Sequence, residues 1–471
     1  MLIPLIKQEL IDKLGYEPTP SQQLLIQKAA EFIHHFDRHQ VLLIRGYAGT
    51  GKTTMVKAIV ETLQMHHLSA VLLAPTGRAA KVLSEYTGKP AYTIHKKIYR
   101  QQSSKDGFGR FSLNYNKHQD CIFIVDEASM IANKSSDGGI FGSGNLLDDL
   151  IEFIFAGKSC KLILLGDTAQ LPPIGFDDSP ALDKNIIKNY FLETDDVELT
   201  DVIRQQITSG ILENATFLRN QIQAAEPPDK LFETSGFKDV IRLSGEELIE
   251  SISESYNKAG IEETMIICRT NKRANIYNQG IRNKILYREE ELSTGDLLMV
   301  VKNNYFWLPE GSETEFIANG DIMEVQRIYR YQEQHGLRFA DISVRFPDYN
   351  LEDIHVKIII DTLSLEGPSL NQDQNNRLFQ SVYQDYIDLK KKPAILKKVK
   401  NDPFFNALQV KFSYAVTCHK AQGGQWKDVY LDQGYLPDLQ INTEYLRWLY
   451  TGMTRSSSKL FLVNFNPKFF K

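Results

Sequence analysis

A chain of 471 residues, 42% of them apolar and 24% charged, is long enough for two or more domains with their own cores and has the make-up of an ordinary globular protein. Its formal net charge of −5 argues against a histone-like protein that coats nucleic acid indiscriminately, while leaving room for a local basic groove. Cys121, Cys160, Cys268 and Cys418 stand singly in or beside apolar runs, a spacing that excludes paired zinc or redox motifs and predicts buried thiols in a reducing cytoplasm.

The opening stretch MLIPLIKQELIDKLG interleaves apolar positions with Lys7, Glu9, Asp12 and Lys13, which predicts an amphipathic helix and not a secretory signal. No apolar run approaches the ~20 residues that cross a bilayer, so no membrane partner is expected. Next come four short, nearly continuous apolar runs: VLLIRG from Val41, AVLLAPT from Ala70, CIFIVDEA from Cys121 and KLILLGD from Lys161. Such runs suit parallel strands buried on both faces. Between the first two, Met55, Val56, Ile59, Val60 and Leu63 recur at helical spacing, completing a strand, Gly-rich turn, helix, strand unit.

Residues 92 to 118 predict a basic hairpin around the turn Asp106 to Gly109, with Phe108 near its tip. Residues 133 to 145 are rich in Ser and Gly and predict a mobile loop. A second set of buried strands begins with TMIICRTN from Thr264 and resumes only with SYAVTCHKAQGG from Ser413 and KLFLVNF from Lys459. The intervening residues 300 to 408 read as an inserted antiparallel barrel, since GDLLMVVKNNYFW and ANGDIMEVQRIYR alternate β-branched and aromatic residues with Asn-Gly and Gly-Asp turns. Lys390, Lys391, Lys392, Lys397, Lys398 and Lys400 crowd one stretch of it, either as a solvated helix face or as an arm on phosphates. The fold class expected is α/β: a first lobe over 1–195, a second over 196–299 and 409–471, and the barrel over 300–408.

Gly46 to Thr53 spells GYAGTGKT, a Gly, four free positions, then Gly-Lys-Thr. Glycines let this loop curl so that the N–H groups of Gly46, Tyr47, Ala48, Gly49, Thr50, Gly51, Lys52, Thr53 and Thr54 can cradle phosphate, helped by the dipole of the following helix. Lys52 is expected at the β- and γ-phosphates of ATP, with the Thr53 hydroxyl on Mg²⁺. Hydrolysis needs a second carboxylate and a base, and CIFIVDEAS supplies Asp126 for the metal and Glu127 for the attacking water. In LLGDTAQLPPIG, Gly166, Asp167 and Gln170 reach the same sheet edge, and the Gln170 amide can sense the γ-phosphate.

Taken in order, the P-loop, DEAS, GDTAQLPPIG, LTDVIRQ, VTCHKAQGG and YTGMTRS resemble the motifs of superfamily 1 helicases, specifically the RecD-like and Dda-like branch, from about Thr19 to Val463. The resemblance implies two RecA-like lobes, with an SH3-like accessory barrel as the insertion. It makes TPSQQ a Q motif in which Gln22 reads adenine, with the adjacent Gln23 as the alternative. Pro75 and Thr76 of LAPTGRAAKVL, Thr93 and His95 of TIHK, and Thr417, His419 and Lys420 of VTCHKAQGG are implied DNA contacts, while Lys420, Gln422 and Gly423 link to the nucleotide side. Arg204 and Arg455 match the two arginines that face the γ-phosphate from across the cleft.

The implied activity is that of a DNA-stimulated ATPase and helicase, moving 5′ to 3′ along single-stranded DNA as the lobes close and open on ATP. Forked DNA, single-strand-binding proteins and repair proteins are the expected partners, and the chain is expected to act as a monomer. The hairpin at residues 92 to 118 would be the strand-separating wedge. A second implied role is the ATPase subunit of a RecD-type repair and recombination complex. A P-loop kinase or GTPase would lack the second lobe and its Thr-Arg element.

Overall fold

A computed structural model describes residues 2–35, 39–101, 111–134, 142–203, 209–224, 228, 230–308, 316–347, 353–436 and 441–471. Its strands are β1 (Gln40–Gly46), β2 (Ser69–Ala74), β3 (Ala91–Thr93), β4 (Tyr99–Gln101), β5 (Phe111–Leu113), β6 (Cys121–Val125), β7 (Lys161–Gly166), β8 (Glu193–Leu199) and β9 (Val240–Leu243). They continue as β10 (Thr264–Cys268), β11 (Leu297–Val300), β12 (Ile322–Gln334), β13 (Leu337–Arg345), β14 (Ile354–Ile359), β15 (Leu408–Phe412), β16 (Ala415–Thr417), β17 (Trp426–Asp432) and β18 (Ser456–Val463).

The first lobe is a parallel sheet ordered β3-β2-β6-β7-β1-β8. Its apolar runs divide by alternation: Leu42, Ile44, Ile122, Ile124, Ile163 and Leu165 pack on one face, Val41, Leu43, Phe123, Val125, Leu162 and Leu164 on the other. Burial on both faces is why these strands are apolar at every position. The opening helix Leu2–Leu14 buries Ile6, Leu10 and Leu14, one stripe at i, i+4, i+8, against the same core as the helix that follows the P-loop.

The second lobe is a parallel sheet ordered β16-β10-β17-β18-β9. Between β10 and β16 the chain leaves to form a closed barrel, β11-β12-β13-β14-β15. All its pairs are antiparallel except the β14–β15 closure. The barrel's first strand begins at Leu297 and its last ends at Phe412. Helices Gln372–Asp385 and Lys392–Lys400 pack on its end through Leu378, Val382, Ile395 and Val399. The α/β architecture with two parallel lobes and an inserted barrel is therefore the fold.

One local reading changes. Among the described residues the hairpin pairs β4 with β5, in register from Tyr99↔Leu113 to Gln101↔Phe111. Tyr92 and Thr93 belong to β3 at the edge of the main sheet, because Thr93 caps the short helix Ile94–Ile98 by accepting from the Lys96 amide. The tip, including Asp106, Phe108 and Gly109, lies outside the described residues. The ends of the Ser/Gly-rich stretch are tied down: the Asn145 side chain donates to Asn133 O at 2.7 Å and the Gly142 amide to Phe111 O at 2.7 Å. Residues 135–141 of that stretch are outside the described residues.

Candidate active site

Because β6, β7 and β1 are parallel neighbours, the loops leaving their C-terminal ends meet at one edge, the usual ligand crevice of an open α/β sheet. Those loops carry Asp126–Glu127, Asp167–Gln170 and the P-loop. Gly51 has φ +83°, and a Cβ there would lie 2.7 Å from the Gln22 amide nitrogen and 2.9 Å from Ile203 Cδ1, so glycine is required on both counts. The Lys52 ammonium donates to Gly46 O at 2.6 Å and Tyr47 O at 2.9 Å and stands 3.8 Å from Asp167.

Glu127 adopts a left-handed backbone, φ 51° and ψ 35°, a conformation that costs a non-glycine residue energy and is held by its surroundings. Its amide donates to Asp126 Oδ1 at 2.8 Å. Burial, reinforced by the adjacent Glu127, pushes the Asp126 carboxyl up to about 6, against the pull of Lys52 and Arg455. Asp167 is likewise raised by burial, with Lys52 opposing.

Arg455 lies at the end of the second lobe's helix Thr443–Met453 and points into this cluster. It is buried, donates to Thr451 O (3.1 Å), Gly424 O (3.3 Å) and Thr454 Oγ1 (3.4 Å), and stands 3.7 Å from Glu127 Oε1. Arg204 lies outside the described residues. Ile203, just before it, donates its amide to Gly49 O at 3.1 Å, and Asp201 accepts from the Ser21 amide at 2.9 Å.

The donor set fits a nucleotide triphosphate with a divalent ion. Among the described residues, Glu127 Oε2 and Gln170 Oε1 are buried oxygens with no hydrogen-bond partner, and carboxylates are concentrated beside Lys52 and Arg455. Among the described residues no group of three or more His, Cys, Asp or Glu forms a cage for a metal. An ion here would complete its shell with phosphate and water, as Mg²⁺ does. Thr53 and Thr54, in the first turn of the helix after the P-loop, remain half-buried.

Gln22, the expected adenine reader, has its side chain engaged within the protein. It is fully buried, donates to Thr50 O (3.0 Å) and Tyr16 Oη (3.2 Å), and accepts from the Thr19 amide (3.1 Å). Its amide is spent on a capping box and on bracing the P-loop, so an adenine would have to displace those bonds. Gln23 is exposed and donates to Pro18 O at 3.2 Å.

Pro75 and Thr76 end the loop after β2, and Thr76 caps the helix Gly77–Thr87 by accepting from Ala79 N. Across from them is Gly423 (φ +76°): a Cβ there would lie 2.8 Å from Ala79 Cβ and 3.1 Å from Thr76 Oγ1. Gly423 thus meets the Thr76 side of the cleft and not the nucleotide side, whereas Gln422 donates to Leu171 O at 2.8 Å, one residue past Gln170. Arg78 stacks on Trp426 at 4.2 Å, adding a contact between lobes. Thr93 and His95 open the short helix after β3, with the His95 ring 5.6 Å from Tyr99. Thr417 and His419 leave β16 together with Lys420, and burial lowers His419. Burial brings Lys420 down to about 8 and does the same to Lys411, which also feels Lys420's charge.

Sequence reasoning missed Tyr450 and the side-chain role of Tyr47, whose hydroxyl accepts from Gln223 and donates to Glu198. Tyr450 accepts from the Ala48 amide and donates to Asp167, a pairing no local pattern signals. All four cysteines are buried and free, and among the described residues no helix is long and apolar enough to cross a membrane.

Residues 20–226 match the family model described as an AAA domain, and residues 412–463 match that of the UvrD-like helicase C-terminal domain. The chain is 27% identical over 273 residues to the ATP-dependent DNA helicase dda of Enterobacteria phage T4, covering 56% of each chain. It is 24% identical over 477 residues to the RecBCD enzyme subunit RecD of Buchnera aphidicola, covering 92% of this chain and 72% of that one. Among solved structures, the Pif1 helicase from Candida albicans aligns over 96% of both chains at 13% identity, with a TM-score of 0.45. An AAA domain followed by a UvrD-like helicase C-terminal domain, together with the similarity to RecD and Dda, supports an ATP-dependent DNA helicase, a hydrolase, like the superfamily 1 enzymes of the RecD and Dda kind.

Proposed function

We propose that this helicase is a translocase that tracks single-stranded DNA from 5′ to 3′ and unwinds the duplex ahead as its two lobes close and open on ATP. The observation that carries the reading is Arg455. A buried guanidinium from the second lobe, 3.7 Å from Glu127 of the first, ties the chemistry to the distance between lobes.

In this reading Lys52 leaves its loop carbonyls for the β- and γ-phosphates, and Gln170 turns its unpartnered oxygen towards the attacking water. Glu127 accepts that water's proton, and Arg455 stabilises charge on the transferring phosphoryl group, with Arg204 as its assigned companion. Thr53 and Asp126 would hold Mg²⁺, which when bound neutralises phosphate charge. ATP gripped from both sides favours the closed cleft, and loss of the γ-phosphate releases it. Thr76 and Gly423 touch across the same cleft, so its opening would also separate the assigned DNA contacts Pro75, Thr76, Thr93 and His95 from Thr417, His419 and Lys420.

The hairpin serves as the wedge. Its strand β5 is braced on the barrel, with Phe111 and Tyr305 ring centroids 4.2 Å apart, and each base pair it splits costs about 1.4 kcal/mol of stacking. Duplexes with either a 5′ or a 3′ single-stranded tail test polarity: unwinding only with the 5′ tail is expected, and preference for the 3′ tail overturns the direction. Shortening the hairpin should impair unwinding while sparing translocation; leaving both intact would remove the wedge.

A further inference from the structure

The buried phenol of Tyr450 lies five residues before Arg455 on the second lobe. Its oxygen accepts from the Ala48 amide of the P-loop at 2.9 Å and donates to Asp167 Oδ2 at 2.7 Å. One oxygen thus joins the loop after β1 to the loop after β7. The same Asp167 oxygen stands 3.8 Å from the Lys52 ammonium, while Oδ1 accepts from the Ala169 amide at 2.9 Å. Only a hydroxyl can both accept from an amide and donate to a carboxylate at this spot.

Neighbouring contacts repeat the pattern. Tyr47, next to Ala48, accepts from Gln223 at 2.8 Å and donates to Glu198, with the Arg219 guanidinium 4.6 Å over its ring. Gln223 and Arg219 sit on helix Gly210–Ala224, whose buried residues share the second lobe's core. Thr451 accepts from the Leu171 amide at 2.8 Å. Two consecutive P-loop residues and the loop carrying Gln170 are therefore each held by side chains of the second lobe.

We propose that Tyr450 is a positioning residue that conveys cleft closure to the phosphate-binding loop. With the cleft closed, its hydroxyl fixes the Ala48 peptide and occupies Asp167, weakening that carboxylate's claim on Lys52 and leaving the ammonium to the phosphates. Opening withdraws the hydroxyl and returns Lys52 to Asp167. The proposal rests on Lys52 being the phosphate ligand. Since the bonds to Tyr450 exist only when the lobes meet, they act on the hydrolytic step more than on ATP capture.

The test is steady-state, DNA-stimulated ATP turnover by Tyr450→Phe, which keeps the ring and removes both bonds, alone and combined with Asp167→Asn. A hydrogen bond to a charged group gone from the transition state predicts a fall in kcat of about ten- to a hundredfold with KM for ATP changed less than about threefold. In the Asp167→Asn background the same substitution should cost much less, because its partner is already altered. A kcat within about twofold of the parent, equal changes in kcat and KM with a lower melting temperature, or fully additive losses each overturn the proposal. Failure of the underlying reading looks different: the unaltered chain would then show no DNA-stimulated turnover, or Lys52→Ala would retain it.

Discussion

Replacing Arg455 by alanine isolates the contribution of the second lobe to hydrolysis. The guanidinium stands 3.7 Å from Glu127, at the end of the cluster that also holds Asp126 and Lys52. A unit charge about 4 Å from a developing charge, in surroundings of effective dielectric near 20, is worth about 4 kcal/mol, or about a thousandfold in rate. That figure sits at the lower end of the range of about 10³ to 10⁵ for arginine fingers. Nucleotide affinity should change far less, because the P-loop amides and Lys52 remain. Removing the side chain also takes the Arg455 donor from Gly424 O, a cost of about 1–3 kcal/mol if that oxygen stays buried, while Thr451 O keeps the Thr454 hydroxyl at 3.2 Å, so thermal unfolding must be followed alongside. Single-turnover hydrolysis with saturating DNA and a fluorescent-nucleotide binding titration separate the two effects. Equal losses in rate and affinity would demote Arg455 to a binding residue and remove the argument for coupling through the cleft.

Lys52→Ala is expected to abolish ATP turnover in a phosphate-release assay, and retained turnover would withdraw the P-loop assignment. The acid limb of kcat/KM should fall near pH 6, where Asp126 protonates, and should move to higher pH in Arg455→Ala, because Arg455 pulls that carboxyl down. Folding raises the Asp126 pKa from its ordinary 3.8 to about 6, so its ionisation costs the fold stability. That cost is absent below about pH 4, grows up to about pH 6 and is complete above it. Asp126→Asn should therefore melt higher than the parent at pH 7.5, with the gain vanishing near pH 4, while hydrolysis is lost; an unchanged or lower melting temperature at pH 7.5 would contradict the sign. Lys390, Lys391, Lys392, Lys397 and Lys398 are exposed on or just before helix Lys392–Lys400, whose buried face is Ile395 and Val399. If that run touches phosphates, reversing its charges should flatten the salt dependence of single-strand binding by about 0.7 per lost contact, and an unchanged slope would make it a solvated face.

Much of the architecture was legible because its causes are local. A strand buried on both faces must be apolar at every position, so VLLIRG, CIFIVDEA and KLILLGD announce themselves. A phosphate loop needs glycine where the backbone turns left-handed, as Gly51 does at φ +83°. The barrel was visible for the same reason, with alternation broken by turn residues. Less legible was the hairpin's true extent, because YTIHKK reads as basic strand until the Thr93 cap turns it into a helix. Gln22 was harder still: a glutamine after a helix cap looks alike whether its amide meets an adenine or closes a capping box with Thr19 and donates to Thr50 O.

By itself, the order of residues determined the parts: a phosphate loop, an acidic pair, an amide sensor and a terminal arginine, each on a strand end or helix whose burial pattern is written in neighbouring positions. Only the folded chain decided their company. That β7 lies between β6 and β1, that Arg455 comes within reach of Glu127, and that Tyr450 bonds an amide 402 positions away depend on how two sheets pack across a cleft. Such packing sums many weak contacts between distant segments, and no single stretch of the chain encodes the sum.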